Sequence, residues 1–180
     1  MLRFRADIRT LVYMFVTTAL FAWQWRYGFN VWIYLIYLHL AVAVAVITHN
    51  HNHLNIWKNK GLNKLTDWWL TVFYGIPIFC WIPTHNKNHH KHNNKAEDYT
   101  ATYLKSEEND LFTLLSYPSV SSYHQMKRGI IPYMKELYQK DRSTWNDYIT
   151  QTVVLVLWIA TFLVLDWQKA ILYVIIPQQV

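Results

Sequence analysis

Residues 31–53 read VWIYLIYLHLAVAVAVITHNHNH. The segment from Val31 to Thr48 is apolar and uncharged, and it runs without interruption into His49, His51 and His53. A helix rises ~1.5 Å per residue, and ~20 apolar residues suffice to cross the ~30 Å hydrocarbon core of a bilayer. With its aromatic flank this run approaches that length. If the helix continues past Thr48, His49 and His53 fall four residues apart on one face. A membrane helix that ends in a cluster of imidazoles sets the terms for the rest of the chain.

Upstream, Arg3, Arg5 and Arg9 precede a second uncharged apolar run, Thr10 to Trp25, which Gly28 separates from the first. The two runs predict a helical hairpin with helices at about 10–27 and 31–48. The competing reading of the N-terminal run is a secretory signal. Trp23, Gln24 and Trp25 at its end, with no small-x-small cleavage site, argue against that.

Downstream, Leu54 to Leu65 is polar and basic, and Trp68 to Ile82 is apolar but contains Gly75 and Pro77 and ends at Pro83. Fifteen helical residues reach only ~22 Å, and a proline shortens them further. Residues 68–83 therefore predict a re-entrant or interfacial segment, with Asp67 as its cap and Trp68, Trp69 and Trp81 in the headgroup layer. A second histidine cluster follows: His85, His89, His90 and His92, then Asn93 and Asn94. Were the interfacial segment to cross the bilayer, the two clusters would lie on opposite sides of it. Residues 84–146 are mixed and charged, and predict cytosolic helices along the membrane, interrupted at Pro118 and Pro132. A second hairpin is expected at about 147–166 and 169–180, its fourth helix cut short at Val180. The expected fold is thus an all-α integral membrane domain, 1–180, of two transmembrane hairpins, an interfacial segment and cytosolic helices.

Composition agrees. Apolar residues make up 53% of the 180, and four Gly with five Pro exclude collagen-like and disordered classes. A single cysteine, Cys80, excludes internal disulfides and Cys-rich metal sites. The net charge of +6 is better assigned to membrane orientation than to nucleic acid. Three Arg precede the first run and twelve Lys or Arg lie between Lys58 and Arg142, against Arg26 and Lys169 at the two tips. Basic residues stay on the cytoplasmic side, so both histidine clusters are expected to face the cytoplasm. Suitable locations are a bacterial inner membrane or the endoplasmic reticulum.

Seven of the nine histidines lie in the two clusters. Neutral imidazole suits zinc, iron, copper or nickel. Five to seven histidines without cysteine exceed a four-ligand structural zinc site and point to two metals or a wider cage. In a regular helix His85 and His89 share a face, His92 lies near it, and His90 is turned ~100° away. His39 stands mid-helix, ~15 Å from His49, where a hydrogen bond to a neighbouring helix is the expected role. His124 stands alone in Tyr123-His124-Gln125.

An H-x3-H at the end of a membrane helix, followed about thirty residues on by H-x3-H-H, resembles the membrane fatty acid desaturases, within the wider family of membrane-bound di-iron desaturases and hydroxylases. The resemblance covers nearly the whole chain. It implies His49 and His53 as ligands from a first histidine box, and His85, His89 and His90 from a second. His51, His92 and Asn93 are further candidates, as ligands or as groups that orient ligands. It also implies two non-haem iron ions, O2 as co-substrate, a lipid or fatty acyl substrate, and an external electron donor of ferredoxin or cytochrome b5 type. The basic face from Lys87 to Lys140 offers such a donor a surface. The family carries a third box, H-x2-H-H, after the fourth helix; the chain supplies about five of the expected ligands. The expectation is therefore an N-terminal fragment that does not hold a normal iron pair. A related hydroxylase, a carotenoid or sphingolipid oxygenase, a non-catalytic membrane metal-binding protein and an inactive paralogue remain open alternatives.

Overall fold

Gly28 and Asn30 decide where the first two helices part. Gly28 closes helix α1 (Asp7–Tyr27) with φ 93°, a region that side chains with a Cβ avoid. Asn30 opens helix α2 (Val31–His53), its side-chain oxygen accepting from the amides of Trp32 and Ile33 at 3.1 and 3.2 Å. This is the predicted first hairpin tip. The computed structural model describes residues 1–179; Val180, the last residue of the expected fourth helix, lies outside them. The remaining helices are α3 (Lys60–Tyr74), α4 (His90–His92), α5 (Leu111–His124), α6 (Ile131–Lys140), α7 (Arg142–Leu165) and α8 (Trp167–Ala170). Wider π-helical turns occupy Ile82–His89, Gln125–Ile130 and Ile171–Ile175. Among the described residues there is no strand, only an isolated bridge between Leu2 and Trp57. The all-α class is as expected.

Two helices, α2 and α7, are long and apolar enough to cross a membrane. Their outer faces confirm what such helices need: Val42 and Val46 on α2 and Val156, Leu157 and Leu165 on α7 are exposed, and Val164 is 87% exposed. Water is a poor partner for so much apolar surface, and hydrocarbon is a good one.

The chain divides into two compact units, Met1–Ile78 with the segment from Ile149 onward, and Phe79–Tyr148. The core of the first is aromatic. Phe21 meets Phe73 edge-on at 5.9 Å and Phe162 at 5.1 Å, and packs against Trp158 at 5.5 Å. Polar ties are made to backbone that helix geometry leaves free: Tyr34 donates to the carbonyl of Leu172 (2.9 Å), Tyr37 to that of Tyr173 (3.1 Å) and Gln178 to that of Val72 (2.7 Å). The N-terminus straps the loop after α2, Arg3 giving its amide to the Ile56 carbonyl and its Nε to the Asn55 carbonyl. In the second unit, Phe79 stacks on Tyr148 at 4.8 Å and Lys87 lies over the Tyr133 ring.

Several boundaries differ from the sequence expectation, for one reason: hydropathy marks where lipid would begin, whereas caps mark where helices begin. Helix α3 starts at Lys60, capped by Asn59, eight residues before the apolar stretch. Asp67 is therefore an interior residue of α3 and not a cap. Helix α7 likewise starts at Arg142, where Asp141 accepts from the Thr144 amide at 3.0 Å, ahead of the expected 147. Pro132 comes just after the π turn Gln125–Ile130 and Pro118 is carried inside α5, so neither proline ends its helix. In place of a regular fourth helix at 169–180, the chain forms α8, the π turn Ile171–Ile175 and a 3-10 turn Pro177–Gln179.

Candidate metal centre

The first histidine cluster belongs to the first unit. Helix α2 does continue past Thr48 and takes the cluster with it as far as His53. The rings of His49 and His53 accordingly face each other, with centroids 4.7 Å apart and planes at 73°.

His51, between them, points elsewhere. It is 1% exposed, and its Nε2 lies 3.0 Å from Oδ1 of Asp67 on α3. Its Nδ1 is 3.2 Å from the amide of Ile56. An amide can only donate, so Nδ1 is the acceptor and Nε2 carries the hydrogen given to Asp67. Both nitrogens are thus engaged in fastening the end of α2 to α3 and to the following loop. Asp67, which sequence reasoning assigned to a cap, is part of this fastening. The missed signal is the pairing of a histidine and an acid sixteen residues apart, which nothing local in the sequence marks.

The second cluster belongs to the second unit and lies on the π-helical segment Ile82–His89 and the α4 turn. There the amide of His90 reaches back to the carbonyl of His85, an i to i+5 bond. The wider turn changes which residues share a face. His90, expected ~100° away in a regular helix, instead faces His85, their Nε2 atoms 3.2 Å apart and ring centroids 4.6 Å. His89 stacks on His85 at 5.2 Å. Three imidazoles converge because the helix is underwound, not because the spacing is helical.

His89 is held from behind. Its Nδ1 lies 2.7 Å from Oδ2 of Asp98, which is 1% exposed. Burial pushes the Asp98 carboxyl up. The amide and hydroxyl of Thr100, the amide of Asn94 and the His89 ring together outweigh it and hold the group at about 2. An ionised carboxylate can only accept, so Nδ1 of His89 carries the hydrogen, and Nε2 is the nitrogen turned away from Asp98. Asn94 thus acts on the box through Asp98. Asn93 contributes its backbone, at φ 44°, its amide bonded to the His89 carbonyl. His92 lies 4.0 Å from the Glu97 carboxylate.

The donor set fits a transition metal. Two imidazole nitrogens bound ~2.0–2.1 Å from one ion at angles between square and tetrahedral are ~2.8–3.4 Å apart, and the Nε2 atoms of His85 and His90 are 3.2 Å apart. A carboxylate behind a ligand histidine is the arrangement that fixes ring orientation in metal sites generally. Two other histidines stand outside these groupings. His39 is exposed on α2 and lines a groove of about 500 Å³ with Tyr13 and Arg9, in place of the expected hydrogen bond to a neighbouring helix. His124 packs against Tyr123, with its Nδ1 buried.

No curated protein and no solved structure matches the chain. The family model for fatty acid desaturases matches residues 28–180, which takes in both membrane-length helices and both histidine clusters. The chain is a membrane protein, and it belongs to the fatty acid desaturase family.

Proposed function

We propose that this chain has the chemistry of an O2-dependent lipid desaturase, in which His49, His53, His85, His89 and His90 serve as ligands to non-haem iron. The observation that carries the reading is the convergence of His85, His89 and His90, with His89 oriented by Asp98, in a chain of this family. When bound, the irons supply the O2 activation needed to remove hydrogen from an unactivated acyl C–H bond, with electrons from a ferredoxin or cytochrome b5 type donor.

The protein's own residues have narrower tasks. Asp98 keeps the hydrogen of His89 on Nδ1, so that Nε2 presents a lone pair. The π turn brings His85 and His90 to a separation suited to one ion. His51 and Asp67 hold the end of α2, and with it His49 and His53, without offering a nitrogen to metal. The apolar faces of α2 and α7 keep the chain in lipid, where an acyl substrate resides. On this reading both clusters face the cytoplasm, following the distribution of Lys and Arg.

The test is metal binding by the chain in lipid nanodiscs. Cobalt(II), a spectroscopic stand-in for iron(II), should bind with d–d bands of a nitrogen-rich site. His85→Ala and His90→Ala should each weaken that binding and alter the bands, and His124→Ala should leave both unchanged. Equal binding by all three variants would remove the basis for the reading.

A further inference from the structure

The start of α5 carries four large apolar side chains within five residues. Leu111, Phe112, Leu114 and Leu115 are 69, 73, 69 and 70% exposed. At 100° per residue they spread over ~160° of the helix circumference. The other side is fastened: Thr113 is tied to the capping Asp110, and the Tyr117 hydroxyl donates to the Thr100 carbonyl at 2.7 Å. Lys105 braces the exposed side, its ammonium 3.3 Å from the Phe112 ring centroid and bonded to the Ser116 hydroxyl. Soluble surfaces seldom concentrate apolar side chains to this degree.

We propose that the first turn of α5 inserts into the interfacial layer of the lipid bilayer, with Leu111, Phe112 and Leu115 among the upper acyl chains and Lys105 at the lipid phosphates. Three features favour a bilayer over a protein partner. The unit that carries α5 ends within α7, a helix long and apolar enough to cross a membrane, so the chain itself brings this unit to a bilayer. The side chains are flexible Leu and Phe that project outward, which suits a fluid phase more than a shaped interface. Lys105 is exposed at the edge of the apolar face, its ammonium beside the Phe112 ring, which is where a snorkelling lysine meets the headgroup layer. The neighbouring Glu107 and Glu108 are exposed on the preceding loop and remain in water.

The insertion has a consequence for the second histidine box. From the fastened side of α5, Tyr117 holds Thr100; Thr100 holds Asp98 through its amide and hydroxyl; Asp98 holds His89. A lipid-seated turn is thereby linked to a box histidine through three residues, Tyr117, Thr100 and Asp98.

The experiment is spin-label accessibility in the full chain, reconstituted in phosphatidylcholine nanodiscs. Cys80, the chain's one cysteine, is buried, so a nitroxide can be directed to Phe112→Cys or, separately, Leu115→Cys, with exposed Lys135→Cys on α6 as reference. At 112 and 115 collisions with oxygen should exceed those with a water-soluble nickel chelate, and at 135 the order should reverse. Nickel accessibility at 112 and 115 equal to that at 135 would overturn the proposal. Protection from both oxygen and nickel would overturn it too, since a protein would then be what covers the turn. Neither outcome depends on metal or on turnover.

Discussion

Asp98 shows how much one residue can carry. It is 1% exposed, ionised, and bonded to His89, Asn94 and Thr100. Asp98→Ala should lower metal affinity by roughly 10–100-fold, the usual effect of losing such a partner, measured by cobalt titration. His51 separates two roles that the sequence leaves merged. If it is a fastening and not a ligand, His51→Leu should destabilise the chain by about 1–3 kcal/mol, because Asp67 and the Ile56 amide lose their partner. The same change should alter metal affinity far less than His49→Ala does. Thermal unfolding and metal titration on the two variants distinguish the roles. The sequence marks neither Asp98 nor Asp67 as a partner of a histidine, because each acts on one nine or sixteen positions away through a contact that only folding makes.

At the scale of elements, the break after α3 is enforced by packing as well as by sequence. Gly75 has φ 85°, and a Cβ there would lie 2.6 Å from Cβ of Gln178, whose side chain is tied to the Val72 carbonyl. Gly75→Ala is therefore strained twice over and should destabilise the protein by about 1–3 kcal/mol, read as a lower unfolding temperature in detergent. The glycine and the proline near it were legible as a break. That Gln178 fills the space beside it was not, since the two lie a hundred residues apart. The second box teaches the same lesson about regularity. Helical arithmetic on His85, His89 and His90 assigns two of the three to one face; the π turn brings in the third. Nothing in the residue types of 82–89 announces that turn.

For the whole molecule, the expected behaviour is that of an integral membrane protein. Carried by α2 and α7, the chain should stay in the membrane pellet after an alkaline carbonate wash and enter solution only with detergent. Appearance in the carbonate supernatant would contradict the assignment of those helices. Cys80 reports on integrity. It is buried, so it should resist maleimide in the native protein and react on unfolding, with mass spectrometry counting the adduct.

What the sequence determined by itself was whatever depends on residue type and near neighbours. The apolar runs, the hairpin tip at Gly28 and the pairing of His49 with His53 all follow from local hydropathy, backbone freedom and helical period. The tertiary structure decided the rest: where α3 and α7 begin, that His51 faces Asp67, that Asp98 backs His89, and that His90 turns towards His85. These depend on hydrogen bonds between distant residues and on a local change of helical pitch, and a pattern of residue types encodes neither directly.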